Sequence, residues 1–336
     1  METMETIYYD RDANPHTLDG ATIGIVGYGI QGRAQALNIR DSGFNVLVSN
    51  RQDDYVSQLT TDGFDNTPID DLARNADAIL LLIPDQAQAE VYTKHIRPHM
   101  RPGAMLVFAH GFALRFKTLV PAQDIDVALL APRMPGKQIR GAYLQGGGVP
   151  AFVDVIQNYS GQALTRVLAL AQAAGFTKAG VLAVDYRVET ELDLFIEQFL
   201  VTVIVKAIHT GFETLVSRYG FPPMATLMEL YASGELAEVL HMAAHQGIGR
   251  VFQKNASPTC QFGIAANFDL TLEKTADARI DEIMNAIRDG SFCRLLDQEA
   301  EQGYPRVKGL WAKVNNDLMA QTQDAIQEAF TIEALP

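Results

Sequence analysis

The chain has 336 residues, room for about two domains, and its 48% hydrophobic content supports real cores. A formal net charge of −13 argues against nucleic acid or an anionic membrane surface as a partner. Only two cysteines occur, Cys260 and Cys293, which excludes a disulfide framework and suits a reducing cytoplasm.

Tyr8 to Thr17 is polar and charged, so no signal peptide is expected there. Short apolar runs then follow at Ile23–Val26, Asn45–Val48, Ala78–Ile83, Met105–Ala109, Val127–Ala131, Pro150–Val155 and Val181–Val184. Amphipathic stretches separate most of them, which predicts an α/β domain with a parallel sheet. After Asp185 the strand signals stop. The rest reads as long helices broken at Gly220–Pro223, Ser257-Pro258 and Asp289-Gly290. These patterns divide the chain into residues 1–185, a Rossmann-type nucleotide domain, and residues 186–336, an all-helical domain.

The first run leads into Gly27-Tyr-Gly-Ile-Gln-Gly32, which opens a helical stretch over Arg33–Ser42. Glycines between a strand and a helix allow a tight turn and a close approach of the backbone to a pyrophosphate. The second run ends at Val48 and continues Ser49-Asn-Arg-Gln-Asp-Asp54. Arg51 there suits the 2′-phosphate of NADPH, whereas Asp53 or Asp54 suits the ribose hydroxyls of NADH. Both remain open, as does a solvated loop for the two aspartates.

His110 follows the fourth run, where a residue at a strand's carboxyl end serves either catalysis or a satisfied rim. In Glu189 to Gln198, Asp193 and Glu197 are four apart and share a helical face. Two like charges at that spacing repel, and a divalent cation such as Mg²⁺ is a common partner for them. Glu189 lies on that face one turn earlier and reads as a solvated residue at the helix end. The apolar run Phe199–Val205 is too short to span a bilayer and is followed by Lys206. His241 and His245 have transition-metal spacing, but nothing obvious completes the set, so a helix-surface pair is expected.

With these residues in view, the chain resembles ketol-acid reductoisomerase of the short form over nearly its whole length. The resemblance rests on Ile7-Tyr-Tyr-Asp-Arg-Asp-Ala13, Gly27 to Asn38, Arg40-Asp-Ser-Gly43, Phe108-Ala-His-Gly-Phe112 and Asp193-Leu-Phe-Ile-Glu-Gln198. It implies a Rossmann domain followed by a knotted, all-helical domain. It also implies a Mg²⁺-assisted alkyl shift of 2-acetolactate or 2-aceto-2-hydroxybutyrate, then reduction by NAD(P)H, in branched-chain amino-acid synthesis. Two Mg²⁺ ions are implied, with Asp193 bridging and Glu197, Glu229 and Glu235 as further ligands. His110, Arg133 and Glu197 become catalytic, and Ser257 touches the substrate carboxylate. Cofactor-binding positions are Gly27, Tyr28, Gly29, Gln31, Gly32, Arg51, Asp54 and Gly136. The family builds its active site from two subunits, so a homo-oligomer, dimer or higher, in the cytoplasm is implied.

Two departures stand out. Arg133 occupies a position where the family usually has lysine; it keeps the charge but cannot shuttle a proton. Lys137, four residues on, substitutes only if the loop folds back. Ser233 stands where a glutamate one turn after Glu229 is expected, and Glu235 is six residues on, which is the wrong face of an unbroken helix. Gly234 offers a break that brings Glu235 in. Two alternatives follow: a relative that reduces a 2-keto acid without isomerising, and a nucleotide-binding protein without catalysis.

Overall fold

The structure is a computed structural model and describes residues 6–267, 273–314 and 318–329. The chain divides into two compact units, Met1–Leu192 and Asp193–Pro336.

The first unit is built on one sheet of eight strands: β1 (Ile7–Tyr8), β2 (Thr22–Val26), β3 (Asn45–Ser49), β4 (Ala78–Leu81), β5 (Met105–Phe108), β6 (Asp126–Pro132), β7 (Ala151–Gln157) and β8 (Val181–Ala183). Their order is β1-β8-β7-β6-β5-β4-β2-β3. The five strands from β6 to β3 are mutually parallel. Two of the remaining three pairings depart from the parallel expectation: β7 runs antiparallel to β6 and β1 antiparallel to β8, while β7 and β8 are parallel to each other. A buried apolar run carries no direction in its pattern, so the sequence did not reveal the reversal. The edge strand β1 has two residues, too few to show a period.

Each central strand buries both faces. In β4, Ala78 and Leu80 enter one apolar cluster while Ile79 and Leu81 enter another. β5 and β6 alternate in the same way, which is why these strands read as continuous apolar runs rather than alternating ones. Helices connect the strands: α1 (Ile30–Asp41), α2 (Tyr55–Thr61), α3 (Ile69–Asn75), α4 (Asp85–Val91), α5 (Phe112–Arg115), α6 (Gly136–Leu144) and α7 (Ala163–Ala173). α1 begins three residues before the expected start, with Gly29 as its N-cap. Because β2, β5 and β6 are parallel, the nucleotide turn, His110 and Arg133 all follow carboxyl ends at the same edge of the sheet.

α8 (Tyr186–Ile196) leads into the second unit, which is helical among its described residues: α9 (Thr202–Tyr219), α10 (Pro223–Leu227), α11 (Glu235–Gln246), α12 (Ile248–Asn255), α13 (Pro258–Asn267), α14 (Glu273–Arg288), α15 (Ser291–Glu301), α16 (Pro305–Val314) and α17 (Leu318–Ala329). The breaks fall where glycine and proline foretell them. Gly220 closes α9 in the left-handed region at φ 70°, and Pro223 and Pro258 open α10 and α13. A small buried cluster joins Phe212, Leu227, Ala232 and Ile326. Many apolar side chains in this unit stay exposed, including Leu200, Val205, Leu240, Phe262 and Leu310. Among the described residues, one helical run, Tyr186–Tyr219, is long and apolar enough to cross a membrane by length and composition.

Candidate functional site

β3 and β4 flank β2 on opposite sides, so the chain reverses its winding direction at β2. That switch point is where open α/β sheets bind ligands, and the Gly27–Gly32 turn sits on it. Two glycines are dictated by close approach. A Cβ on Gly32 would lie 1.8 Å from the Gly27 carbonyl oxygen, and one on Gly136 would lie 1.9 Å from that of Ile30. The first turn of α6 therefore rests against the first turn of α1. Gln31 ties them further by donating from Nε2 to the Met134 carbonyl at 3.0 Å. Two helix N-termini converge on the turn, and their exposed amides and dipoles favour a diphosphate there.

The Tyr28 side chain turns away from the Gly27–Gly32 turn into the core. Its ring is wholly buried and packs edge-on against Phe64 at 5.7 Å. Its hydroxyl donates to Asp62 at 3.0 Å, beside the Arg33 guanidinium on the same carboxylate. Burial first, then Asp62, pushes the phenol up. In the loop after β3, Arg51 donates from Nε to Asp53 at 2.9 Å. Asp53 also accepts from Asn50 at 2.8 Å and from the Tyr55 amide at 3.1 Å, so it organises the start of α2 rather than lying loose. The Arg51 hydrogen bond is the main cause that holds its carboxyl below the usual range. Asp54 is exposed at the N-cap position of α2.

The corner after β5 and β6 is the densest polar arrangement at this edge. His110 Nδ1 lies 3.2 Å and 3.3 Å from the two carboxylate oxygens of Glu189. The Gly111 amide donates to Glu189 Oε2 at 3.0 Å, and Arg133 Nη2 donates to Oε1 at 3.0 Å. Arg133 is also held by its Nε on the Ala131 carbonyl at 3.3 Å and by stacking over Phe152 at 4.9 Å. Glu189 was expected at the solvated end of a helix; it is instead fully buried. The physical reason is the set of three donors, which offsets the cost of taking a carboxylate out of water. Burial pushes its carboxyl up, but His110, the Gly111 amide and Arg133 together hold it below the usual carboxylate range. Its position one turn before Asp193 was the signal available in the sequence. Next to it, Arg115 donates to Glu191 at 3.0 Å. Lys137 is exposed in the first turn of α6, and it is Arg133 that reaches Glu189.

In the second unit, Asp193 is half-buried and Glu197, Glu229 and Glu235 are exposed. Glu197 opens the π-helical turn Glu197–Val201, and Glu229 is the second residue of another, Met228–Ala232. Such turns cost hydrogen-bond quality and concentrate at functional sites. Gly234 takes φ 87° and ends the run, so that Glu235 becomes the first residue of α11. Among the described residues, no group of three or more potential ligand side chains converges within one chain. Ser257 is exposed and caps α13, its hydroxyl accepting from the Cys260 amide at 3.2 Å. His241 and His245 touch ring to ring at 5.0 Å, as expected of a helix-surface pair.

Comparison with known proteins decides the family. Residues 17–180 match the model of the acetohydroxy acid isomeroreductase NADPH-binding domain, and residues 186–331 match that of the ketol-acid reductoisomerase C-terminal domain. The chain belongs to the ketol-acid reductoisomerase family. A relative from Caldivirga maquilingensis, named ketol-acid reductoisomerase (NADP(+)), is 36% identical over 93% of this chain and 94% of its own. One of the same name from Pyrobaculum arsenaticum is 38% identical over 93% and 95%. A solved NADH-preferring ketol-acid reductoisomerase from an uncultured archean superposes with a TM-score of 0.91 at 33% identity, covering 97% of this chain and 99% of its own. The chain is accordingly an oxidoreductase of this family using NAD(P)H, with a Rossmann-like sheet domain and a helical domain. The reading as a nucleotide-binding protein without catalysis is set aside.

Proposed function

We propose that this protein rearranges 2-acetolactate or 2-aceto-2-hydroxybutyrate by an alkyl shift and reduces the product with NAD(P)H to the 2,3-dihydroxy acid. It acts in branched-chain amino-acid synthesis in the cytoplasm. The observation that carries this reading is the shared edge: the Gly27–Gly32 turn, His110 and Arg133 all follow the carboxyl ends of parallel strands. The functional division lies at Asp185/Tyr186, where the sheet domain gives way to α8.

The turn and the first residues of α1 and α6, with Gly29, Gln31 and Gly136, bind the pyrophosphate. Arg51, Asp53 and Asp54 face the question of the ribose. Asp193, Glu197, Glu229 and Glu235 are hard oxygen donors that suit Mg²⁺, and the π turns at Glu197 and Glu229 fit ligand positions. Bound there, Mg²⁺ would polarise the ketone and alcohol oxygens of the substrate. His110 exchanges a proton with the substrate, Arg133 supplies a fixed positive charge, and Ser257 binds the substrate carboxylate.

Association of two or more copies completes the site. One feature supports this: the helical unit leaves much apolar surface exposed among its described residues. The apolar run through α8 and α9 carries Glu189, Asp193 and Glu197, which suits a protein partner rather than lipid.

The test is loss of nicotinamide absorbance with 2-acetolactate, run with NADPH and NADH, with Mg²⁺ and with chelator. Turnover that depends on Mg²⁺ is expected, and isomerisation that survives chelation sinks the proposal. The engagement of Arg133 with Glu189 motivates a second reading, a 2-keto acid reductase without the shift. Activity on 3-hydroxy-3-methyl-2-oxobutyrate but none on acetolactate would select it.

A further inference from the structure

We propose that Glu189 is the positioning residue that fixes His110 in its Nδ1–H tautomer, with Arg133 as the permanent counter-ion of that carboxylate rather than a proton carrier. The inference rests on the catalytic role proposed for His110 and extends it to the groups that orient the ring.

Ionised Glu189 only accepts hydrogen bonds, so a ring nitrogen 3.2–3.3 Å from both of its oxygens must carry the hydrogen. In the neutral ring, Nε2 is then left as the acceptor. The carboxylate cannot turn away, because the Gly111 amide holds one oxygen and Arg133 holds the other, each at 3.0 Å. It is delivered by the first turns of α8, which approach β5 closely. A Cβ on Gly111 would lie 2.4 Å from Thr190 Oγ1 and 2.7 Å from the Tyr186 carbonyl oxygen, so only glycine admits the helix at this distance.

Arg133 explains the departure from lysine. A guanidinium is not deprotonated in proteins, and its planar fork suits a fixed bond to a carboxylate oxygen. Here it is also stacked on Phe152 and bonded to Ala131. A charge so held contributes field and position, and proton exchange at this corner passes to His110 Nε2.

The test uses the full-length protein with ¹⁵N-labelled histidine, free of cofactor and metal. Long-range ¹H–¹⁵N correlation reads the tautomer of each ring, and His110 is assigned by the signal lost in His110→Gln. The wild type should show His110 protonated at Nδ1. Glu189→Leu should abolish that preference, and Glu189→Asp should restore part of it. Arg133→Met should loosen the same signal, and Arg133→Lys should keep it. Turnover of the rearranged 2-keto acid should fall by at least about 100-fold in kcat for Glu189→Leu, with KM within about threefold, since general acid–base catalysis contributes 10²–10⁴. A wild-type ring protonated at Nε2 would overturn the proposal. So would a Glu189→Leu protein with a native circular dichroism spectrum and an unchanged tautomer. An Arg133→Met protein with the wild-type signal would overturn the part given to Arg133. The tautomer is read without substrate, so this outcome is independent of whether acetolactate is isomerised.

Discussion

Replacing Gly111 with alanine tests the close approach on which the buried corner depends. The added methyl carbon would stand 2.4 Å from Thr190 Oγ1 and 2.7 Å from the Tyr186 carbonyl oxygen, where ordinary contact begins near 3.4 Å. The first turn of α8 must therefore retreat by about 1 Å, the difference between 3.4 Å and 2.4 Å. Overpacking of this kind costs about 1–3 kcal/mol. The retreat also stretches the Gly111 amide bond to Glu189, now 3.0 Å, which faces a buried charge. Weakening such a bond costs a further 1.5–3 kcal/mol or so. Together that is roughly 3–6 kcal/mol, or a fall in Tm of about 6–24 °C at 2–4 °C per kcal/mol. Scanning calorimetry of wild type and Gly111→Ala measures it directly. Adding Thr190→Ala should recover less than half of the loss, because the Tyr186 carbonyl belongs to the backbone and stays in place. A single variant that melts within about 2 °C of wild type would refute the reasoning, since the helix could then not be packed as tightly as argued.

Three other perturbations have expected outcomes. Asp53→Asn releases Arg51 from its 2.9 Å bond, and the freed guanidinium should raise the NADPH-to-NADH ratio of kcat/KM by about fivefold, a surface ion pair's worth; a ratio within twofold of wild type would count against the loop reading. Glu189 is held below its ordinary 4.5, so the folded state binds fewer protons than the unfolded state between the two values. Its contribution to stability is therefore complete above about pH 5 and is lost as pH falls through the depressed value, and Glu189→Gln should flatten the acid limb of urea midpoints measured against pH. Asp193→Asn and Glu197→Gln should each weaken Mg²⁺ binding, seen by calorimetric titration as at least a tenfold rise in Kd, because each removes an anionic oxygen donor; unchanged affinity in both would remove them from the metal site.

The sheet was legible because its physics is local in sequence. Strands buried on both faces show as runs such as Ala-Ile-Leu-Leu, and the glycine turn after β2 marks the first βαβ unit. What stayed hidden was direction and brevity. β7 fills the sheet with the same residue types in either orientation, and β1 is two residues long. The helix breaks were legible for the opposite reason: a left-handed residue or a missing amide is written into glycine and proline themselves.

The site divides along the same line. Residues whose role follows from a single element, such as the glycines before α1, were visible. Glu189 was not, because its environment is made by three residues from two segments distant in sequence: His110 and Gly111 after β5, and Arg133 after β6. Sequence spacing gave it the face of Asp193 and Glu197, and composition suggested solvent; the donors that reverse this lie 56 to 79 residues away. The same limit explains Glu229 and Glu235. An α-helical wheel puts residues six apart on different faces, but that wheel assumes an unbroken α-helix. Here a π turn over Met228–Ala232 and a left-handed Gly234 both intervene, so the wheel no longer describes the path between the two carboxylates. The six-residue spacing therefore does not by itself place Glu235 on the face opposite Glu229. Replacing Gly234 with alanine should test this. A left-handed alanine costs about 1–2 kcal/mol, and relief of that strain by a continuous helix would turn Glu235 away, lowering Mg²⁺ affinity while leaving NADPH binding intact. Loss of both together would show instead that the helical unit had come apart.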